Sequence, residues 1–84
     1  MNQAAFTIEE FRAILEDVLD REGLDIRSQT TANDVPGWDS LNHVRLLVRL
    51  EQAQGIVFSV GEVEAVGNVG DLLALIDRLK SAGR

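Results

Sequence analysis

The sequence has no cysteine, no tyrosine, a single histidine and a single proline. Without cysteine there can be no disulfide framework, no thiolate metal site and no thiol nucleophile. One histidine excludes the usual multi-histidine zinc sites, and no metal is expected. Apolar runs are only a few residues long, so nothing spans a bilayer and no membrane partner is expected. The opening Met-Asn-Gln-Ala-Ala-Phe lacks a basic stretch followed by an apolar one, so no signal peptide is expected either. Basic residues are also scarce. Eight Lys and Arg against 14 Asp and Glu leave a net charge of −6, which argues against nucleic acid as a partner. What remains is 84 residues, 45% hydrophobic and 26% charged. That is a globular composition for one small domain, read as a cytoplasmic monomer. A chain of this length buries only roughly 60–65% of the surface it exposes when unfolded, which leaves little room for a deep catalytic cleft.

The charge is unevenly spread. Residues 1–39 carry a net of −6, residues 40–54 a net of +1 from Arg45, Arg49 and Glu51, and residues 55–84 a net of −1. The acids of the first segment, among them Glu9, Glu10, Glu16, Asp17, Asp20 and Glu22, read as a solvated helix face.

The hydrophobic spacing predicts an all-α fold, a small bundle of three substantial helices and one short one, with a long loop between the first two. The first helix covers 7–22, where Ile8, Phe11, Ile14, Leu15, Val18 and Leu19 share one face. Thr7 and Glu10 form a capping box, and Gly23 stands past the end. Residues 23–39 show no helical period, contain the turn signal Val35-Pro36-Gly37, and read as an ordered loop pinned by Leu24, Ile26, Val35 and Trp38. The second helix covers 40–54, capped by Asp39 and closed by Gly55. Residues 56–58 look like a brief extended segment packed inward. Ser59 and Glu62 open a short helix over 60–66. Asn68 caps the last helix, 69–81, with Val69, Leu72, Leu73, Ile76 and Leu79 on one side and Gly83 beyond its end.

The second helix carries two apolar stripes. With Ser40 at zero, Leu46, Leu47 and Leu50 fall at roughly 240–340°, together with His43 and Gln54, while Leu41, Val44 and Val48 fall at roughly 40–100°. One stripe suffices to attach a helix to a small core. The other is either an exposed ridge of the kind that marks a protein contact, or is covered by the short third helix. Either way it flanks Ser40. That serine occupies the first helical position after a loop, where unpaired N–H groups and the positive end of the helix dipole favour an anion such as a phosphate ester. Alone, a serine there most often just helps to start the helix.

The string Gly37-Trp38-Asp39-Ser40-Leu41-Asn42-His43-Val44, the order of elements and the long first loop together resemble the acyl carrier protein family. The likeness continues through Leu46, Leu50, Glu51, Gly55, Ile56, Val69, Leu73 and Ile76, and so runs through the whole domain. The resemblance implies 4′-phosphopantetheine, derived from coenzyme A, as a phosphodiester on Ser40, carrying an acyl group as a thioester to biosynthetic enzymes. It implies that Asp39 both caps the helix and helps a phosphopantetheinyl transferase place its magnesium-bound substrate, and that Leu41 contacts that transferase and other enzymes. Val44 and Val48 would belong to the partner face, with Arg45, Arg49 and Glu51 beside them. The implied partners are the transferase, an acyl- or aminoacyl-loading ligase or acyltransferase, and a downstream synthase.

One departure matters. The family's fatty-acid carriers have carboxylates along this helix, whereas Arg45, Arg49, Asn42 and Gln52 stand here. Such reversal alters encounter and excludes wrong partners, and it resembles the free-standing carriers of specialised polyketide, amino-acid or modified-acyl pathways more than a fatty acid biosynthesis carrier. His43 and Gln54 on the inward sector argue for a short or polar cargo. Alternatives remain: an aminoacyl or peptidyl carrier, an unmodified interaction domain, or a hydrolase using Ser40, His43 and Asp39. No oxyanion hole follows the serine and Asp39 is occupied in capping, so no enzyme is expected. His43 reads more simply as a boundary residue satisfied by a backbone group or water.

Overall fold

Each of the five helical elements among the described residues begins or ends on a side chain that satisfies a backbone N–H group, and those caps set where the helices lie. In the computed structural model, which describes residues 6–82, α1 spans Ile8–Leu19, a 3₁₀ turn spans Ala32–Asp34, α2 spans Ser40–Gln54, α3 spans Val60–Glu64 and α4 spans Val69–Ala82. No strand occurs among the described residues, so the architecture is the all-α bundle that the spacing predicts. None of the helices is long and apolar enough to cross a membrane.

The Thr7–Glu10 capping box opens α1: Thr7 Oγ1 accepts the Glu10 N–H at 3.1 Å and the Glu10 carboxylate accepts the Thr7 N–H at 2.9 Å. These bonds, the Thr7 backbone N–H foremost, hold the Glu10 carboxyl below the usual glutamate range. The helix stops three residues earlier than its apolar spacing suggests. Asp20, at φ 55°, takes the left-handed position, and the Arg21 N–H reaches back to the Glu16 carbonyl at 2.9 Å. That is the helix-ending arrangement expected of a glycine, built here on aspartate, so Gly23 belongs to the loop. Glu16 also leaves the solvated face, because its carboxylate accepts the Leu24 N–H at 3.0 Å.

The long loop is ordered by apolar anchors and by α4. Ile26, Val35 and Trp38 are buried and Leu24 packs against them. Thr30, the one buried polar residue among those described, accepts the Arg27 N–H on its hydroxyl. The loop then covers the open end of α4: the Thr30 carbonyl takes the Val69 N–H at 2.9 Å and the Ser28 carbonyl takes the Gly70 N–H at 2.7 Å. Glycine at 70 suits the approach, since a Cβ there would lie 3.1 Å from the Ser28 carbonyl oxygen and the loop would have to give by a few tenths of an ångström. A second box, Thr31 with Asp34, makes the 3₁₀ turn, which hydrophobic spacing does not reveal.

The core is shared by α1, α2, α4 and the loop. Phe11, Leu15, Leu46, Leu50 and Ile76 are fully buried; each such side chain contributes about 1.5–3 kcal/mol relative to exposure. On α4 the buried face is Val69, Leu72, Leu75, Ile76 and Leu79, and Leu73 lies at its margin. Four of the five residues expected on that face lie on it, and Leu75 takes the place expected of Leu73. Asn68 caps α4 as expected, its Oδ1 accepting the Asp71 N–H at 2.8 Å. Gly83 lies outside the described residues. Helix α3 is shorter than its expected span and buries no residue of its own. In the segment before it, Ile56 is buried, Val57 faces out and Phe58 is half-buried, so an extended chain alternates where an inward-packed one was expected.

Candidate functional site

The segment ahead of α2 is held from both sides. Arg21 donates to the Pro36 carbonyl at 2.8 Å and Asn42 Nδ2 to the Gly37 carbonyl at 2.8 Å. Gly37, at φ 91°, turns the chain so that Trp38 enters the core while Asp39 and Ser40 remain exposed. Asp39 is the N-cap, its Oδ1 accepting the Asn42 N–H at 2.9 Å, and its carbonyl accepts the His43 N–H at 2.8 Å. The N–H groups of Ser40 and Leu41 keep no partner among the described residues, and neither does the Ser40 hydroxyl. An exposed hydroxyl therefore stands at the positive end of a 15-residue helix beside two free N–H donors.

Trp38 ties this corner to the core. Its ring meets Phe11 at a centroid distance of 6.1 Å, and its Nε1–H donates to His43 Nδ1 at 3.0 Å. An indole only donates, so Nδ1 must be unprotonated and the neutral ring carries its proton on Nε2. The partner of His43 is thus an indole, where a backbone group or water was expected. Burial pushes the His43 pKa below its ordinary value of about 6.5. The neutral form is the one the fold prefers. Its contribution to stability is complete above that ordinary value and is lost as pH falls through the lower folded value. Trp38 is the only tryptophan, which makes the transition visible: its fluorescence should change as pH drops below the ordinary histidine range, and the change should vanish in His43→Asn. A titration midpoint at or above the ordinary value would contradict the burial argument.

Beside Ser40 lies an open cleft of about 460 Å³. The first turn of α2 (Asp39, Ser40, His43), the 3₁₀ turn (Ala32, Asn33) and the α3–α4 junction with the start of α4 (Val66, Gly67, Asn68, Val69, Leu72) surround it, with Trp38 at its wall. On the other side of the serine runs the ridge. Leu41, Val44 and Val48 are 66%, 57% and 44% exposed, so α3 does not cover the second stripe.

The charged residues of α2 divide. Arg45 is exposed, with only a long 3.5 Å contact to Asn42 Oδ1. Arg49 pairs with Asp17 of α1 at 2.6 Å, and Glu51 accepts the Phe58 N–H at 2.8 Å, holding the α2–α3 connection. Both therefore have structural work within the chain. Gln54 accepts from Lys80 at 2.9 Å.

The hydrolase arrangement does not form. His43 Nδ1 is spent on Trp38, Asp39 on Asn42, and no hydrogen bond joins His43 to Ser40. No cluster of metal-ligating side chains occurs among the described residues. Nothing in the sequence marks Asn33 and Asn68 as neighbours of Ser40, since one looks like loop and the other like a cap. The spatial neighbourhood of Ser40 is what selects them.

Two comparisons bear on this geometry. The family described as a phosphopantetheine attachment site matches residues 9–76. The fold is similar to the solution structure of a holo acyl carrier protein from Geobacter metallireducens, with a TM-score of 0.85 and 36% identity, over 92% of this chain and 88% of that one.

Proposed function

Because this chain belongs to the phosphopantetheine attachment-site family of carrier proteins, we propose that Ser40 is the residue through which it carries its cargo. The protein is a carrier and not an enzyme, and its cofactor is covalently bound 4′-phosphopantetheine. That group supplies a thiol on a long flexible arm, to which an acyl cargo is joined as a thioester. The residues fit it: Ser40 offers a solvent-facing hydroxyl with no competing hydrogen bond, and the free N–H groups of Ser40 and Leu41 suit a phosphodiester. Asp39 keeps the helix start in place for the modifying transferase, and tethering raises the concentration of the cargo at each partner enzyme.

The exposed ridge of Leu41, Val44 and Val48 beside that serine is the surface we assign to the transferase, to a loading ligase or acyltransferase, and to a downstream synthase. Arg45, free at its edge, favours a partner with an acidic rim and disfavours a basic one. This supports a specialised polyketide, amino-acid or modified-acyl pathway over general fatty acid synthesis. Glu51 contributes less than the bare sequence suggests, since its carboxylate is engaged on the Phe58 N–H. Trp38 closes the cleft against Phe11 and His43 lines it, which favours a short or polar cargo.

The observation that carries this reading is the unengaged Ser40 hydroxyl at the start of α2. Incubated with coenzyme A, magnesium and a phosphopantetheinyl transferase, the chain is expected to gain the mass of one phosphopantetheinyl group. Peptide mapping should place it on 40. No gain with several competent transferases would refute the reading.

A further inference from the structure

One imidazole stands close to Ser40, and both of its nitrogens are closed. His43 is the only histidine, sits one turn after Ser40 on α2 and lines the cleft beside it. A neutral imidazole always keeps one nitrogen lone pair, which makes it a general base and a nucleophile toward acyl groups. Here that lone pair is on Nδ1 and is taken by the Trp38 indole N–H at 3.0 Å, while Nε2 keeps the proton. Exchanging the tautomer would set two N–H donors against each other. Burial favours the neutral ring, and no charged neighbour adds to that effect. Asp39 is the one charged side chain lining the cleft with His43, and its carboxylate is held by the Asn42 N–H.

The chain is otherwise poor in groups that attack a thioester. It has no cysteine and a single lysine, Lys80, whose Nζ donates to Gln54 Oε1 at 2.9 Å. Gln54 ends the 15-residue helix that Ser40 begins, about 21 Å away along its axis. His43 is therefore the reactive group nearest to Ser40. We infer that the Trp38–His43 bond protects the carrier's own thioester, because it denies His43 the lone pair with which that ring would hydrolyse a cargo tethered one turn away. This rests on Ser40 as the attachment point and on an acyl thioester as the cargo. Tethering keeps the thioester at high local concentration around a ring so near the root of the arm. Freed of the indole, His43 can take a proton from water as the water adds to the thioester carbonyl. The C–S bond then breaks and the leaving thiolate takes that proton back, giving a free acid, a free thiol and the neutral ring. Trp38 is thus a positioning residue that acts through His43.

The parent, Trp38→Phe, His43→Gln and the double variant can each be incubated with acetyl-coenzyme A, magnesium and a phosphopantetheinyl transferase. Intact mass reads both the loading and the later loss of the acetyl group. Trp38→Phe is expected to lose acetyl about tenfold faster than the parent, below the roughly 10²–10⁴-fold of a base fixed in place, because the thioester only visits the ring. Its rate should rise with pH through a histidine-like midpoint. The double variant and His43→Gln should match the parent, with circular dichroism showing all four folded. Nitrogen-15 resonance of the loaded parent should show His43 with its proton on Nε2 alone, a readout that does not depend on how any variant folds. A Trp38→Phe chain that keeps the parent's rate overturns this inference and leaves the Ser40 assignment standing. So does an acceleration that persists in the double variant, slower hydrolysis in His43→Gln, or a mixture of tautomers in the parent. An unchanged mass with every transferase overturns the Ser40 assignment and this inference together.

Discussion

Ser40→Ala is expected to take up no prosthetic group under conditions that load the parent chain completely, and to unfold at nearly the same temperature. The loss should be total because attachment needs an oxygen nucleophile and alanine offers none. The neutral effect on stability follows from where the hydroxyl stands. It is exposed, makes no hydrogen bond within the described residues, and does not cap the helix, a task that belongs to Asp39. Alanine is moreover a better helix former than serine by a few tenths of a kcal/mol, so a small gain is within expectation. Intact mass and a thermal melt monitored by circular dichroism measure the two halves independently. The combination separates a carrier from an unmodified interaction domain, whose binding would not distinguish serine from alanine. A residual mass gain on the variant would move the attachment point elsewhere. A marked drop in melting temperature would mean that the hydroxyl serves the fold.

The helices were legible in the sequence because their causes are local. Capping pairs three residues apart, apolar residues on one face and a glycine at 55 are short-range patterns, and α2 begins and ends where those patterns put it. The end of α1 was not legible, since Asp20 adopts a backbone conformation that glycine normally takes and Gly23 stood close by as the simpler candidate. The exposed ridge followed from helical geometry alone, but whether α3 would cover it was a question of tertiary placement. The bonds of the charged residues were hidden for the same reason. Arg49 and Glu51 look like neighbours of the partner face until Asp17 and the Phe58 N–H come within reach of them. The site divides likewise: Asp39 and Ser40 announce themselves by adjacency, whereas Asn33 and Asn68 join them only through the way the loop crosses onto α4.

Trp38→Ala should cost about 3–5 kcal/mol, the range for removing a large buried aromatic side chain. A bundle of this length has roughly 4–13 kcal/mol in total, so roughly a quarter or more of its stability goes with one residue. The ring is 8% exposed, packs on the fully buried Phe11 and bonds His43. In a domain of this size the loss corresponds to a fall in melting temperature of more than about ten degrees. The change reaches function because Trp38 also lines the cleft. Without the indole, the cleft should deepen toward Phe11, and the His43 ring should lose the bond that orients it. A loaded chain bearing a long acyl thioester should then resist hydroxylamine better than the parent does, since the enlarged space can shelter what the intact ring keeps outside. Trp38→Phe retains most of the apolar volume and lacks only the N–H. It is expected to melt much closer to the parent and to leave the long acyl group as exposed as before, while abolishing the fluorescence response by removing its source. If both variants shelter a long acyl group no better than the parent, the aromatic ring is a core residue and does not set the cargo. If the alanine variant loses less than about 1 kcal/mol, the ring is too loosely packed to close anything.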